Sequence, residues 1–176
     1  PPGVAMEREP EAQKNRIVSH LLAAPTEVLR RVEEELDRRL PVLPGELASS
    51  LYMSAEDLRT VGPAIAIGSH GTSHRVLSRL SRAEVVEELT QSKKVIEAAT
   101  GRVVDIFAYP IGRAGDVPAD ADILLPACGY PMGFTMESGR NVASPGASRY
   151  RFRRISAGRS ISDLQCNLLR ASLSKP

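Results

Sequence analysis

Two histidines four residues apart, His70 and His74, are the clearest candidates for chemistry in this chain. They lie in the run Ser69-His70-Gly71-Thr72-Ser73-His74, and the chain has only three histidines. If the backbone turns helically here, imidazoles at this spacing face the same way and can share one metal ion. The alternative is a histidine pair that caps a helix or bonds to the backbone. The spacing alone leaves both interpretations open.

A second turn, Pro110-Ile111-Gly112-Arg113, follows the apolar segment Val103–Tyr109. A Pro-x-Gly turn at the end of a strand can direct backbone N–H groups into a pocket. Such donors suit the oxyanion that develops during acyl transfer. A plain turn without a catalytic role would have the same sequence.

The elements that must position these turns alternate between short apolar strands and capped helices. This alternation predicts an α/β fold with a parallel sheet or barrel, in which sites lie at the carboxyl ends of strands. Both turns follow such predicted ends. The predicted strands are 64–68, 103–109, 132–136 and 150–155. The predicted helices are 54–62, 81–101, 119–128 and 161–171. Ser54 with Asp57 is predicted to cap the first, Ser81 with Glu84 the second and Ser160 with Asp163 the fourth, and Gly101 is predicted to end the second.

The first 50 residues have a different character and predict a separate N-terminal helical segment and loop, followed by a domain over 51–176. Residues 1–10 are predicted to be loose and 41–50 to form a loop, with a helix over 11–22 between them. Thr26 is predicted to cap a second helix that runs to residue 40. Its apolar stripe consists of Val28, Leu29, Val32, Leu36 and Leu40.

Composition excludes several classes of protein. Hydrophobic residues make up 42% and charged residues 25% of the 176 positions, which is ordinary for a folded globular domain. A net charge of +2 does not suggest a nucleic-acid binder. No apolar run approaches the roughly 20 residues needed to cross a membrane. Cys128 and Cys166 form no disulfide framework and leave the cellular compartment, cytoplasmic or cell-envelope, unassigned.

The residues around both turns resemble two motifs of the polysaccharide deacetylase family, the NodB-homology carbohydrate esterases. The run 66–81 is similar to the family's histidine motif, and Phe107-Ala108-Tyr109-Pro110-Ile111-Gly112 to its next motif. The single long helix predicted between them fits the family spacing. Gly129-Tyr130 and Arg154-Ile155 also stand at corresponding places, so the resemblance covers about 51–169.

The resemblance implies a partial or deformed (β/α) barrel lacking its first strand or strands. It implies hydrolysis of acetyl groups on N-acetylated or O-acetylated sugars of a polysaccharide or oligosaccharide. The cofactor would be a divalent metal, usually Zn²⁺, held by His70, His74 and an aspartate, with a carboxylate as general base. The backbone N–H of Ile111 would bind the oxyanion. The expected substrate-binding residues are Tyr109, Pro110 and Gly112.

One departure from the family concerns the acids. The family's first motif ends a strand with paired aspartates, whereas this chain has no Asp-Asp, and only Asp37 and Asp57 precede His70. We expect the aspartates to come from a preceding segment or a second chain that completes the barrel. Asp116, in the loop after the second turn, could substitute as a catalytic acid, or it could simply cap a turn. His20 is expected to be a surface or helix-packing residue.

Three functions stay open at this point. The first is a metal-dependent deacetylase, and the second is a catalytically inactive remnant that binds glycan or acts as a scaffold. The third is a small metal-sensing or structural domain unrelated to sugars. Arg149, Arg151 and Arg153 would share one face of the last predicted strand and could hold an anionic polymer, or form a solvated face.

Overall fold

The computed structural model describes residues 9–40 and 49–173. The chain divides into two compact units, Pro1–Tyr52 and Met53–Pro176. In the first unit, the described residues form α1 (Glu9–Ala23), α2 (Thr26–Arg39) and a further helical stretch over residues 49–51. The elements of the second unit are α3 (Ala55–Thr60), α4 (Arg82–Thr100), β1 (Ile106–Ala108), α5 (Ala121–Ala127), β2 (Met132–Ser138), β3 (Phe152–Arg154) and α6 (Ile161–Leu173), with short 3₁₀ turns at Leu77–Arg79 and Ala114–Asp116.

The N-terminal unit contains the two helices predicted from the sequence. The prediction that Thr26 caps α2 is wrong, because Thr26 is already helical and Pro25 takes the cap position without a side-chain hydrogen bond. The apolar stripe of α2 exists, yet Val28 and Leu36 on it are exposed. In the loop predicted over 41–50, residues 41–48 lie outside the described part of the chain, whereas 49 and 50 are helical.

A three-stranded parallel sheet in the order β1-β2-β3 forms the centre of the second unit, as the strand–helix alternation predicted. Ile106 pairs with Met132, and Phe134 pairs with Phe152. The prediction of a strand over 64–68 is wrong. This segment lies beyond β1, at the edge of the described sheet, and only Ser69 after it forms a bridge, with Phe107. Ile65 is largely exposed there, without the two-sided cover that a buried parallel strand needs.

Helix α4 begins and ends where its sequence predicts. The Ser81 hydroxyl accepts the backbone N–H of Glu84 while the Glu84 carboxylate accepts the N–H of Ser81, which is the reciprocal capping box. Gly101 closes the helix at a φ of 67°, a left-handed conformation that costs glycine little. The capping predictions for Ser54 with Asp57 are confirmed in α3 in the same way.

The core lies between α4 and the sheet and is built around three aromatic rings. Phe107 makes edge-to-face contacts with Tyr109 and Tyr130, at centroid distances of 5.3 and 5.4 Å. Both tyrosines are fully buried. Each finds a partner for its hydroxyl, since Tyr130 donates to the Leu89 carbonyl at 2.9 Å and Tyr109 to the Tyr150 carbonyl at 2.8 Å. These two hydrogen bonds fix how deeply each tyrosine ring is buried and how it is oriented.

The outer edge of β3 is closed by a side chain. The Asn141 amide donates to the Arg153 carbonyl at 2.9 Å and accepts the Arg153 N–H at 2.8 Å, as a neighbouring strand would. The guanidinium of Arg151 is also engaged, because it donates to the Pro118 carbonyl at 2.8 Å. Of the arginines predicted to share a strand face, Arg149 is the exposed one.

Helix α6 closes the described chain. The Ser160 hydroxyl accepts the backbone N–H of Asp163 at 3.1 Å, which confirms the predicted cap. Among the described residues, no helix is both long enough and apolar enough to span a bilayer.

Replacing Leu89 tests the core directly. This side chain is fully buried on α4, so Leu89→Ala should lower the free energy of unfolding by about 2–5 kcal/mol through lost burial and a residual cavity. Urea unfolding followed by circular dichroism measures the change. Val95→Ala on the same helix is the matched control, because Val95 is 61% exposed and its loss should cost less than about 0.5 kcal/mol. Equal effects of the two variants would contradict this packing.

Burial also predicts a pH dependence of stability. Burial raises the pKa of the Tyr109 hydroxyl well above its ordinary value of 10.0, and burial raises that of Tyr130 too. The fold therefore favours the protonated forms, and their contribution is complete below the unfolded pKa and falls as pH rises above it. Urea unfolding between about pH 8 and pH 11 should show this loss of stability.

The variant Tyr109→Phe removes one of the two groups and should make the fall above pH 10 shallower. Tyr52→Phe is the control, because Tyr52 is 69% exposed. A slope that is identical in the wild type and in Tyr109→Phe would show that the buried hydroxyl does not drive the effect.

Candidate functional site

His70 is held at the carboxyl end of β1. The preceding residue, Ser69, donates its N–H to the Ile106 carbonyl at 2.8 Å and accepts the N–H of Ala108 at 2.9 Å. His70 Nδ1 then lies 2.7 Å from the Ala108 carbonyl oxygen. Since a carbonyl only accepts, Nδ1 donates the proton of this bond, and in the neutral imidazole Nε2 then keeps its lone pair. An imidazole oriented in this way is the usual form of a histidine metal ligand.

His74 lies next to His70, as its spacing predicted. The two ring centroids are 4.9 Å apart and the ring planes are inclined by 68°. The backbone between them is not helical. The two rings are therefore close for a reason other than the helical spacing considered from the sequence. His74 itself has a φ of 55°, in the left-handed region that few residues other than glycine adopt. Both histidines are exposed.

Glu88 on α4 binds the turn that joins the two histidines. Its Oε2 accepts the backbone N–H groups of Thr72 and Ser73 at 2.7 and 3.0 Å, and its Oε1 accepts the Ser73 hydroxyl at 2.5 Å. Sequence reasoning missed this residue. The available signal was its place on α4, one turn after the capping Glu84 and one turn before the buried Ser92.

Gly71 explains why the two turns approach each other so closely. Its φ is 80°, and a Cβ at this position would lie 3.0 Å from Glu88 Oε2 and 3.5 Å from Pro110 Cγ. The glycine therefore lets the histidine turn contact both the carboxylate on α4 and the ring of Pro110. A side chain here would be strained by the backbone and crowded by Glu88.

The second turn is tight and strained at Ile111. The N–H of Gly112 donates to the Pro110 carbonyl at 2.6 Å, and Ile111 between them has a φ of 59°. For a β-branched residue this conformation costs about 1–3 kcal/mol and persists only where neighbours impose it. Met136 on β2 supplies part of that constraint by donating its N–H to the Gly112 carbonyl at 2.7 Å.

The Ile111 N–H makes no hydrogen bond to any residue that the structure describes. It is thus available as the oxyanion donor that the sequence suggested, and that role stays a prediction. Tyr109, Pro110 and Gly112 are all buried. Any contact of these three with substrate would come through the backbone or the rim of the turn, and their role in binding also stays a prediction.

Asp116 and His20 have local partners. The Asp116 carboxylate accepts the backbone N–H of Arg113 at 3.1 Å and so caps the 3₁₀ turn at Ala114–Asp116. Its role as a catalytic acid is neither supported nor excluded by this contact. His20 is exposed on α1, where its Nδ1 contacts the Arg16 carbonyl.

The residues present fit part of a metal site. Two imidazoles supply half of a tetrahedral zinc donor set, and His70 has the ring orientation that ligation requires. Within 9–40 and 49–173, no group of three or more His, Cys, Asp or Glu side chains comes together to hold a cation. The third ligand implied by the resemblance is therefore not found in the described part of the chain.

Two solved structures are similar to this chain. The deacetylase PplD of Streptococcus pyogenes, solved in complex with acetate, is 22% identical, with a TM-score of 0.55 over 74% of this chain and 54% of that one. The polysaccharide deacetylase BC0361 of Bacillus cereus is 21% identical, with a TM-score of 0.56 over 66% of this chain and 36% of that one. At these identities the likeness shows a shared α/β fold. The chain spans about half or less of each structure's length.

Comparison with curated proteins finds no match. The sequence profile of the polysaccharide deacetylase family, in contrast, matches residues 52–131. This range contains the histidine turn, the whole of α4 and the Ile111 turn. The motif resemblance is thereby confirmed for residues 52–131, the part of the chain that matches the polysaccharide deacetylase family.

Proposed function

We propose that the chain forms part of a metal-dependent hydrolase that removes acetyl groups from N-acetylated or O-acetylated sugars of a polysaccharide. The observation that carries this proposal is the His70–His74 pair. One ring is anchored through Nδ1 on the Ala108 carbonyl, and the two centroids lie 4.9 Å apart. Within a family that acts on acetylated glycans, a pair so arranged is best explained as a ligand pair.

In the proposed reaction, the histidine turn would hold the metal and the Ile111 turn would bind the oxyanion. His70 and His74 would hold a divalent cation, Zn²⁺ in our proposal. When bound, such an ion polarises the acetyl carbonyl and lowers the pKa of water. The unpaired N–H of Ile111 would donate to the oxyanion, and its strained backbone keeps that donor in place before substrate arrives. A Cβ on Gly71 would lie 3.5 Å from Pro110 Cγ, so the turn that carries this donor lies next to the turn that carries the ligand pair.

The remaining ligand and the general base need a further source. We propose that the sheet continues beyond Ser69 as part of a deformed (β/α) barrel, with an acidic strand from a preceding segment or a second chain. The lone bridge of Ser69 supports this, because parallel strands are normally covered and paired on both sides. The limited share of each solved structure that the chain spans is consistent with the same proposal.

The alternative function is a deacetylase-like remnant that binds glycan without catalysis. The absence of a three-residue ligand cluster among the described residues favours it. The two functions differ in what the histidines contribute. Catalysis needs their ligand atoms, whereas glycan binding by a scaffold does not.

Metal binding provides the first test. Wild-type protein should bind Zn²⁺ in competition with a chromogenic chelator, and His70→Ala and His74→Ala should each weaken binding by about tenfold or more, since each removes one of few ligands. His20→Ala is the matched control, because His20 is exposed on α1 and bonds to its own helix. Equal binding by all four proteins would overturn the ligand assignment.

Product and substrate binding provide the second test. Acetate release from chito-oligosaccharides and from acetylated polysaccharide should depend on added Zn²⁺ and should disappear in His70→Ala and His74→Ala. If no acetate is released and glycan binding by calorimetry persists in both variants, the enzymatic proposal fails and the binding remnant is supported.

A further inference from the structure

Glu88 holds the middle of the histidine turn through three hydrogen bonds, to the N–H groups of Thr72 and Ser73 and to the Ser73 hydroxyl. From the geometry we infer that Glu88 is the positioning residue that sets the ring of His74 relative to His70. The inference rests on the proposed function where it concerns metal, and on the conformation of the turn where it does not.

The two histidines are held in different ways. His70 is fixed by its own ring, through the bond from Nδ1 to the Ala108 carbonyl. The ring of His74 makes no hydrogen bond to a residue in the described ranges, and it lies edge-on to the ring of His70. The place of His74 is therefore set by the backbone that precedes it.

That backbone is held by one carboxylate. Glu88 accepts the consecutive N–H groups of Thr72 and Ser73, and its second oxygen accepts the Ser73 hydroxyl. An ionised carboxylate accepts several bonds at once, and bonds to a charged acceptor are the stronger kind. With both N–H groups directed at α4, the next residue, His74, leaves the turn at a φ of 55°.

A chain of hydroxyls ties the same helix turn to the residue before His70. The Ser92 hydroxyl donates to the Glu88 backbone carbonyl and pairs with the Ser69 hydroxyl, each at 2.6 Å. Ser69 and Ser92 are both buried. These two hydrogen bonds fix the backbone of Glu88 relative to Ser69, which pairs with β1. The Glu88 carboxylate therefore holds the histidine turn in a defined position relative to the sheet.

Glu88 contributes little to the core. The buried residues of α4 are Val85, Leu89 and Ser92, whereas Glu88 is half-buried. Removing the carboxylate takes no apolar surface from the interior. A purely structural role would lower stability without a selective effect on the histidines, and a positioning role would do the reverse.

The experiment compares Glu88→Ala, Glu88→Gln and Glu87→Ala in the full chain. Binding of Co²⁺, followed by its visible absorption and by chelator competition, should weaken about 10–100-fold in Glu88→Ala. Glu88→Gln should stay within about threefold, because its amide oxygen can accept both N–H groups and its amide nitrogen can donate to the Ser73 hydroxyl. Glu87→Ala, an exposed neighbour with the same loss of charge, should bind as the wild type does.

Thermal unfolding separates positioning from stability. The midpoint of Glu88→Ala should stay within about 3 °C of that of Glu87→Ala. Co²⁺ binding by Glu88→Ala that equals the wild type, or a loss matched in Glu87→Ala, would overturn the inference.

Amide hydrogen exchange in metal-free protein provides a readout that does not depend on the proposed function. The N–H groups of Thr72 and Ser73 should exchange faster in Glu88→Ala than in the wild type or Glu87→Ala, since their acceptor is gone. If wild-type protein binds no Co²⁺, the metal-dependent function fails, and this measurement alone decides the role of Glu88. Unchanged exchange would then overturn the inference.

Discussion

The pairing of Ser69 with β1 is the contact on which the candidate site depends. Two backbone hydrogen bonds, to Ile106 and from Ala108, place the residue before His70 in register with the sheet. The His70 ring adds a third bond, to the carbonyl of Ala108. The sheet therefore positions the His70 ring, and the positions of the following residues of the turn depend on it.

The Ile111 turn follows β1 at the same carboxyl end and is held by a different set of contacts. Strain at Ile111 is tolerated because Gly112 is bonded on one side to Pro110 and on the other to Met136 of β2. A Cβ on Gly112 would lie 2.8 Å from the Tyr109 carbonyl oxygen, so the turn leaves no room for a side chain there. The same strand thus supports a solvent-facing histidine pair and a backbone N–H without a partner among the described residues.

Local signals predicted the helices of the second unit well. Ser81, Glu84 and Gly101 fix the ends of α4 through contacts within a few residues, and such contacts are written directly in the sequence. Strand 64–68 was predicted wrongly because apolar character indicates burial but cannot say whether a partner strand is there. Thr26 failed as a cap because the helix begins one residue earlier than predicted, with Pro25 at the N-cap position.

The site was predictable only in part, for a related reason. The spacing and motif context of His70 and His74 identified the pair, and their closeness is confirmed. The bonds from the turn to Glu88 join residues 15 and 16 apart in sequence, and no local pattern specifies such a contact. The pairing of Asn141 with β3 is equally invisible, since it depends on where a loop folds back.

Ala108 bonds twice to the histidine turn, through its N–H to Ser69 and its carbonyl to His70, and the Ile111 turn follows it along the chain. The stretch from Ser69 to Gly112 is therefore one structural unit, and β1 and α4 fix the distances within it. A protein designer who wished to graft this site onto another scaffold would have to transfer the whole unit, together with a strand equivalent to β2 that bonds to Gly112. Transferring the two histidines alone would omit the contacts that set the distance between them.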